Sequence, residues 1–272
     1  MFADGVFSTD PGDPLRADAR TLERLADETL CAGFQASDTN PLLGVAGRAD
    51  LLRRLGRTVA AAPAIFATMD EPRPGGLFDH LASLAGGGGK IEAATILREL
   101  LIHLGPIWPS RITLGGVSLG DCWHHPALRT DDATDGLVPL HKLSQWLAYS
   151  LIEPMERAGI SVTAIDGLTG LAEYRNGGLF IDTGTLAFRN AEDARRRHDV
   201  ASPLVVEWRA LTVALLDRLA ALVRTRLRRD AHELPLARIL QGGTWAAGRM
   251  LARRLRPDGA PPVAVVSDGT VF

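Results

Sequence analysis

The densest run of chemistry-bearing residues is Gly167-Leu168-Thr169-Gly170-Leu171-Ala172-Glu173-Tyr174-Arg175-Asn176-Gly177-Gly178, where a carboxylate, a phenol, a guanidinium and two glycines fall between apolar segments. Such density in a loop or short helix points to ligand recognition. A second carboxylate, Glu207, stands in Val205-Val206-Glu207-Trp208-Arg209. Its apolar neighbours predict that it points inward or pairs with an arginine. The structural alternative for both Glu173 and Glu207 is a buried ion pair.

Three further groups carry candidate side chains. Asp121-Cys122-Trp123-His124-His125 holds a thiol and two imidazoles. A closed zinc site needs three or four ligands with second-shell support, and no CxxC or spaced histidine pair supplies them. The reading is therefore a polar loop near the active site or a structural turn, and no metal or other cofactor is expected. Asp79-His80, after Arg73-Pro74-Gly75-Gly76-Leu77-Phe78, reads either as a pocket-lining turn or as a helix start with Asp79 as its cap. His141, Lys142 and Gln145 open another helix, and His141 and Gln145 are four residues apart, on one face. There is no Walker loop, GxGxxG, GxSxG or HExxH. Gly86 to Gly89 with Lys90 lacks phosphate-loop spacing and reads as a connector. Arg224, Arg226, Arg228 and Arg229 suit a solvated helix C-terminus.

These residues must be positioned by helices. Apolar spacing predicts them over Arg20 to Leu30, Ala49 to Ala62, Lys90 to Leu104 (stopping at Gly105-Pro106) and Pro139 to Ala158 (ending at Gly159). Ser202-Pro203 is a cap-plus-proline start for a long helix to about Arg229, with Leu204, Trp208, Leu211, Leu215, Leu219 and Leu222 expected on its inner face. Leu234 to Leu255 reads as two helical pieces broken at Gly242-Gly243. Strand signals are sparse: Val263 to Val266, and Ser110 to Val117 weakened by Gly115-Gly116. Pro72 to Gly76, Gly86 to Gly89 and Gly177-Gly178 read as glycine-rich loops. The expectation is a mainly α fold, one helical domain over residues 1–272 with an irregular segment at 1–18 and at most short strands.

The composition is that of an ordinary globular protein: 272 residues, 46% hydrophobic and 23% charged. A net charge of -2 gives no bulk electrostatic case for nucleic acid or an anionic membrane. The longest apolar region, Val59 to Met69, is interrupted by Pro63 and falls far short of a membrane span. Two cysteines in unrelated contexts and an acidic Met1 to Pro14 lead to the expectation of a cytoplasmic protein without a secretory leader.

Motifs along nearly the whole chain resemble the uracil catabolism protein 4 family. They are Gly47-Arg48-Ala49, Arg73-Pro74-Gly75-Gly76, Leu119-Gly120-Asp121, His141-Lys142-Leu143-Ser144-Gln145-Trp146, Glu173-Tyr174-Arg175-Asn176-Gly177-Gly178, Leu236 to Trp245, Arg256-Pro257-Asp258-Gly259 and Ser267-Asp268-Gly269-Thr270-Val271-Phe272. That resemblance implies a role in using uracil as a nitrogen source through a ribosylurea intermediate. Lys142 to Gln145, Leu168-Thr169 with Glu173-Tyr174-Arg175, and Glu207-Trp208-Arg209-Ala210 are similar in order and spacing to the queuosine salvage glycosylase family. This more distant resemblance implies a DNA-glycosylase-like helical fold and metal-free hydrolysis of a ribosyl N-glycosidic bond. Here Glu173 replaces that family's aspartate and Asn176-Gly177-Gly178 its Val-Pro-Gln, so a large deazapurine is not the expected ligand.

Together the resemblances imply hydrolysis of ribosylurea, or its 5'-phosphate, to urea and the sugar. Glu173 would stabilise the cation developing at the anomeric carbon or activate water. Lys142 and Arg175 would bind sugar hydroxyls or a phosphate, or tune Glu173. Asp121, His125 or His141 would assist the leaving nitrogen, and Glu207 would orient Arg175 or another residue that touches the substrate. Tyr174, Gln145, Asp79 and His80 complete the expected binding set. The expected partner is a small ribosylated urea or pyrimidine-derived molecule, with oligomeric state open. Two other classes stand beside this one: a non-catalytic partner that carries an intermediate between pathway enzymes, and a ureido amidohydrolase, which would want a metal or the Cys122 thiol.

Overall fold

The computed structural model describes residues 1–67 and 71–266. The motif Ser267 to Phe272 and the end of the Val59 to Met69 run lie outside them. Residues 1–18 form turns, held by the buried Asp18 carboxylate, which accepts from the Thr9 amide at 2.6 Å and the Arg16 guanidinium at 3.0 Å. The first predicted helix is split in two, α1 (Ala19–Glu23) and α2 (Asp27–Gly33). Then come α3 (Val45–Ala61), α4 (Pro63–Phe66) and α5 (Gly76–Ala85). The stretch read as a helix from Lys90 begins as a strand, β1 (Lys90–Glu92), and becomes α6 (Ala93–Leu104) only afterwards.

Ser110 to Val117 is a hairpin rather than one strand. β2 (Thr113–Leu114) and β3 (Val117–Ser118) are antiparallel, and Gly115 and Gly116, at φ +57° and +79°, make the turn between them. Two successive positive φ values suit the right-handed twist of a hairpin, which is why glycine stands at both. A second hairpin pairs β4 (Cys122–His124) with β5 (Leu137–Pro139). Pro139 thus closes a strand instead of opening a helix. The chain turns through His141, in the left-handed region at φ 44°, into α7 (Lys142–Arg157). β6 (Ser161–Thr163) returns beside β1 in parallel. α8 (Tyr174–Asp182) follows, then β7 (Arg197–Asp199), α9 (Pro203–Leu227), α10 (Leu236–Ile239), α11 (Ala246–Leu255) and β8 (Ala264–Val266), which pairs with β7. The architecture is mainly helical with strands of two or three residues. No helix among the described residues is long and apolar enough to cross a membrane.

Ser202 caps α9 through the Val205 amide, with Pro203 in its first turn, as its sequence dictates. Its buried face follows the expected stripe only in part: Trp208 is buried and Leu215 and Leu219 are half-buried. Val205, Val206, Trp208, Arg209, Thr212, Leu216 and Ala220 are inside, while Leu211 is exposed and Leu222 is 68% exposed. Apolar residues surround this helix, so spacing alone does not select a face; the neighbours do.

Gly177-Gly178 is not a loop. Both lie buried inside α8, where a Cβ on Gly177 would stand 2.7 Å from the Trp208 ring. Gly242-Gly243 likewise does not break the chain direction: Leu240–Trp245 is a π-helical stretch that runs into α11. Thr244 within it donates to Asn176 Oδ1 at 2.8 Å. A Cβ on Gly248 of α11 would stand 2.1 Å from the Arg175 carbonyl oxygen. α8 therefore meets side chains of α9 at Gly177 and gives its own backbone to α11 at Gly248, and glycine is what allows both.

Among the described residues, buried side chains gather in three clusters. One, with Val59, Leu77, Leu81, Ile96, Leu100 and Met155, packs α3, α5, α6 and α7. A second, with Trp123, Leu140, Ala172, Val200 and Val206, sits under the second hairpin. A third, with Phe180, Leu216, Leu236 and Leu240, joins α8, α9 and α10.

Gly248→Ala should lower the urea midpoint by the equivalent of about 1–3 kcal/mol, because α11 must move off the Arg175 carbonyl. Gly87→Ala, where an added Cβ meets nothing within 4 Å, should leave the midpoint unchanged or raise it slightly.

Candidate functional site

Asp121 follows Gly120, a residue at φ +59° whose added Cβ would lie 3.5 Å from Trp108. The turn delivers its carboxylate into the protein, where four donors meet its two oxygens. Arg209 donates Nη1 to Oδ1 and Nη2 to Oδ2, both at 2.8 Å. The Trp123 indole donates to Oδ1 at 2.6 Å, and the Lys142 amide to Oδ2 at 2.9 Å. The Asp121 carbonyl accepts from the amides of Leu140 and His141 at 3.0 Å. Arg209, 1% exposed, also gives Nε to the Ala172 carbonyl at 3.3 Å. One buried fork–fork pair thus ties α9 to the second hairpin, to the start of α7 and to the residue before Glu173.

Glu173 is the N-cap of α8. Its Oε1 accepts from the Asn176 amide at 2.6 Å and its Oε2 from the Arg175 amide at 2.7 Å. Burial raises its carboxyl above the usual range; the two amides and the Lys142 and Arg175 charges oppose that without cancelling it. The Lys142 side chain is buried, and burial, assisted by the Arg209 charge, lowers its ammonium to about 8 against the pull of Asp121 and Glu173. Lys142 and Glu173 are thus close enough for each charge to act on the other. Gln145, one turn on in α7, accepts from the Thr169 amide at 3.1 Å and pins the loop that leads to Glu173. Tyr174 is exposed, with the Arg175 guanidinium over its ring at 4.9 Å, and Arg175 Nη1 donates to the Gly259 carbonyl at 2.7 Å. Burial holds the His141 imidazole below its ordinary value, although Asp121 opposes this.

The structure therefore brings together Asp121, His141, Lys142, Gln145, Glu173, Tyr174 and Arg175. It sets four expected residues apart. Glu207 neither points inward nor pairs with an arginine: its side chain is 54% exposed, with His125 Nε2 4.0 Å away. Because Val205, Trp208, Arg209 and Thr212 occupy the inner side of α9, position 207 faces outward. His125, its side chain only 15% exposed, turns toward Glu207 and not toward Glu173, with its Nδ1 accepting from the Ala127 amide at 3.2 Å. Asp79 is exposed in the first turn of α5 and does not cap it. His80 bonds to Glu99 of α6 at 2.8 Å, in a separate cluster. The Cys122 run also fails as a metal group. Its thiol is buried and burial raises its pKa, while His124 faces out, and the three-residue grouping found among the described residues is His80, Glu99 and His103.

Arg209 is the residue that sequence reasoning missed. The signal was present: Val205, Arg209, Thr212 and Leu216 share helical spacing, which places a guanidinium at a core position of α9. Such an arginine needs a buried acid, and Asp121 is that acid.

Two consequences are measurable. Removing one partner strands the other, so Arg209→Met should cost about 3–5 kcal/mol in chemical denaturation. Arg209→Lys should recover little of it, since an ammonium cannot reproduce the fork. Asp121 is held below its ordinary 3.8, with burial opposing and Arg209 foremost among the favourable partners; its stabilisation is present above that value and lost as pH falls through the lower folded-state value. Lys142 acts in another window. Between about 8 and its ordinary 10.5 the unfolded chain holds the proton that the folded chain has shed, so its contribution to stability rises with pH there. Lys142→Met should flatten that rise, on the order of 3 kcal/mol at most, in denaturation midpoints measured across the window.

Comparison with known proteins adds relatives to this geometry. The family described as "Protein of unknown function (DUF1688)" matches residues 1–272. Protein urg3 of Schizosaccharomyces pombe is 42% identical over 274 residues, covering 100% of this chain and 65% of the relative. Uracil catabolism protein 4 of Lachancea kluyveri is 38% identical over 298 residues, covering 100% of this chain and 67% of the relative. The chain spans about two thirds of the length of these curated relatives.

Proposed function

The chain belongs to the DUF1688 family, and from that premise we propose that it acts in uracil catabolism as an N-ribosyl hydrolase, converting ribosylurea or its 5'-phosphate to urea and the sugar. The name of the Lachancea kluyveri relative supports the pathway. The motif resemblance to queuosine salvage glycosylases supports the bond that is cut, and a glycosylase-like helical fold is part of the same reading. The observation that carries the reaction type is the half-buried acid beside a buried base: Glu173 raised and Lys142 lowered, both toward neutrality, by the same desolvation. Two groups tuned in this way suit general acid–base work near pH 7.

The C1'–N bond breaks with its electron pair leaving on nitrogen, and Lys142 gives that nitrogen a proton. Positive charge grows on C1' and the ring oxygen. Glu173, fixed by the Arg175 and Asn176 amides, faces that charge and takes a proton from the water that attacks C1'. Transfer of a proton from Glu173 to Lys142 restores both. Asp121 does not protonate the leaving group, because Arg209 and Trp123 hold it ionised. Its work is to position the first turn of α7. His141 is kept neutral by burial and serves as a hydrogen-bonding group, and Arg175 and Tyr174 bind the sugar at the rim. Glu207, 54% exposed, and His125 beside it take no part.

The test is urea release from ribosylurea and from its 5'-phosphate, with the sugar product identified. Glu173→Gln should lower turnover by roughly a hundredfold or more, whereas Glu173→Asp keeps a capping carboxylate and should retain a cooperative melt with partial activity. The pH–rate profile should fall above about 8 as Lys142 loses its proton, and fall again on the acid side as Glu173 gains one. A near-normal rate in a folded Glu173→Gln variant excludes that residue from the chemistry.

A further inference from the structure

Away from the Asp121–Glu173 cluster, two imidazoles converge on one carboxylate oxygen. His80 Nε2 lies 2.8 Å and His103 Nε2 3.2 Å from Glu99 Oε2. Arg98 occupies the other oxygen, Oε1, at 2.8 Å. Glu99 is only 7% exposed, and the imidazole rings meet edge to face with centroids 5.2 Å apart. Glu99 and His103 are an i,i+4 pair on α6 and share a face, and His80 reaches them from α5. All three ligand atoms lie within 4.8 Å of one another.

We propose that His80, Glu99 and His103 form a binding site for a divalent transition ion of the zinc class, with a fourth position open to the solvent side. Two imidazoles and one carboxylate are a zinc ligand set that leaves room for water or an anion. Each ring offers an Nε2 lone pair in the tautomer whose proton is on Nδ1, and Glu99 offers Oε2 while Arg98 fixes its other oxygen. The three groups stand on two packed helices, which holds them in place without a loop rearrangement. His103 also lines an open cavity of about 490 Å³ with Arg54, Arg57 and Thr58, which has space for the fourth ligand. Both arginines pair with the single Asp50 carboxylate, so the wall keeps about one net positive charge, which suits an anion as the fourth ligand. HExxH and CxxC spacing are absent because the ligands come from two helices, so the sequence shows no signature for the site. It is independent of the hydrolysis assigned to Lys142 and Glu173, and either can fail without the other.

The full chain, stripped with a chelator and titrated with Co2+ alone and then Zn2+ alone, tests it. Co2+ should bind one ion per chain and develop the visible d–d bands of a low-coordinate nitrogen and oxygen site, and Zn2+ should displace it. His80→Asn deletes the imidazole ligand and leaves a smaller neutral polar side chain on the partly exposed face of α5. Its affinity for Co2+ should fall by more than about tenfold, since even outer-sphere losses cost that much. His103→Asn should do the same, and circular dichroism melts check that both are folded. Cys122→Ser should leave the bands unchanged. Absence of uptake by the unmodified chain, equal affinity in folded His80→Asn and His103→Asn, or loss of the bands in Cys122→Ser would each overturn the site.

Discussion

The Arg209–Asp121 pair is the constraint on which the candidate site depends. A guanidinium at 1% exposure in α9 is tolerable only beside a carboxylate, and that carboxylate belongs to a hairpin distant in sequence. Its lone pairs are shared with the Trp123 indole and the first amide of α7, and the guanidinium reaches on to the Ala172 carbonyl. One ion pair thereby sets where α7 begins and where the residue before the α8 cap stands. Removing either charge would leave the other desolvated, so the pair acts as a specificity device as much as a stabiliser.

Around this pair, helices approach closely because side chains are missing where they cross. Gly177 lets α8 lie on Trp208 and Thr212 of α9, and Gly248 lets α11 rest on the Arg175 carbonyl. The π-helical stretch before α11 carries Thr244 to the buried Asn176 amide, whose nitrogen donates in turn to the Leu171 carbonyl at 3.2 Å. These contacts fix the N-terminus of α8 from three sides. Its cap, Glu173, therefore has little freedom, which is the property an electrostatic catalyst needs.

The molecule holds two clusters of ionisable groups with different chemistry. At the α7–α8 junction, burial moves an acid and a base toward neutrality while hydrogen bonds keep Asp121 ionised. Between α5 and α6, a carboxylate with three cationic or potentially cationic neighbours is held below its ordinary range, against burial, by His80 and Arg98. The first arrangement stores proton-transfer capacity. The second collects lone pairs.

What sequence alone determined was the helical character, the start of α9 at Ser202-Pro203, the end of α6 at Gly105-Pro106 and the concentration of polar groups at Glu173-Tyr174-Arg175. Each rests on local chemistry: a cap, a missing amide hydrogen, a periodic apolar row, a density of polar groups in a short run. Which side of α9 is buried was not local, because leucines surround it and only the neighbours choose Val205, Arg209 and Leu216 over Leu211 and Leu222. Nor was it local that Gly177-Gly178 is a helix crossing rather than a loop, since glycine permits both and the side chains of Trp208, Thr212 and Pro262 packed against it decide. Glu207 and Arg209 stand two residues apart, and that Arg209 is buried where Glu207 was expected to point inward follows from that same rotation. His80 meets Glu99 and His103 only when α5 packs on α6. Charges and imidazoles act over a few ångströms, and tertiary structure alone sets those distances between residues far apart along the chain.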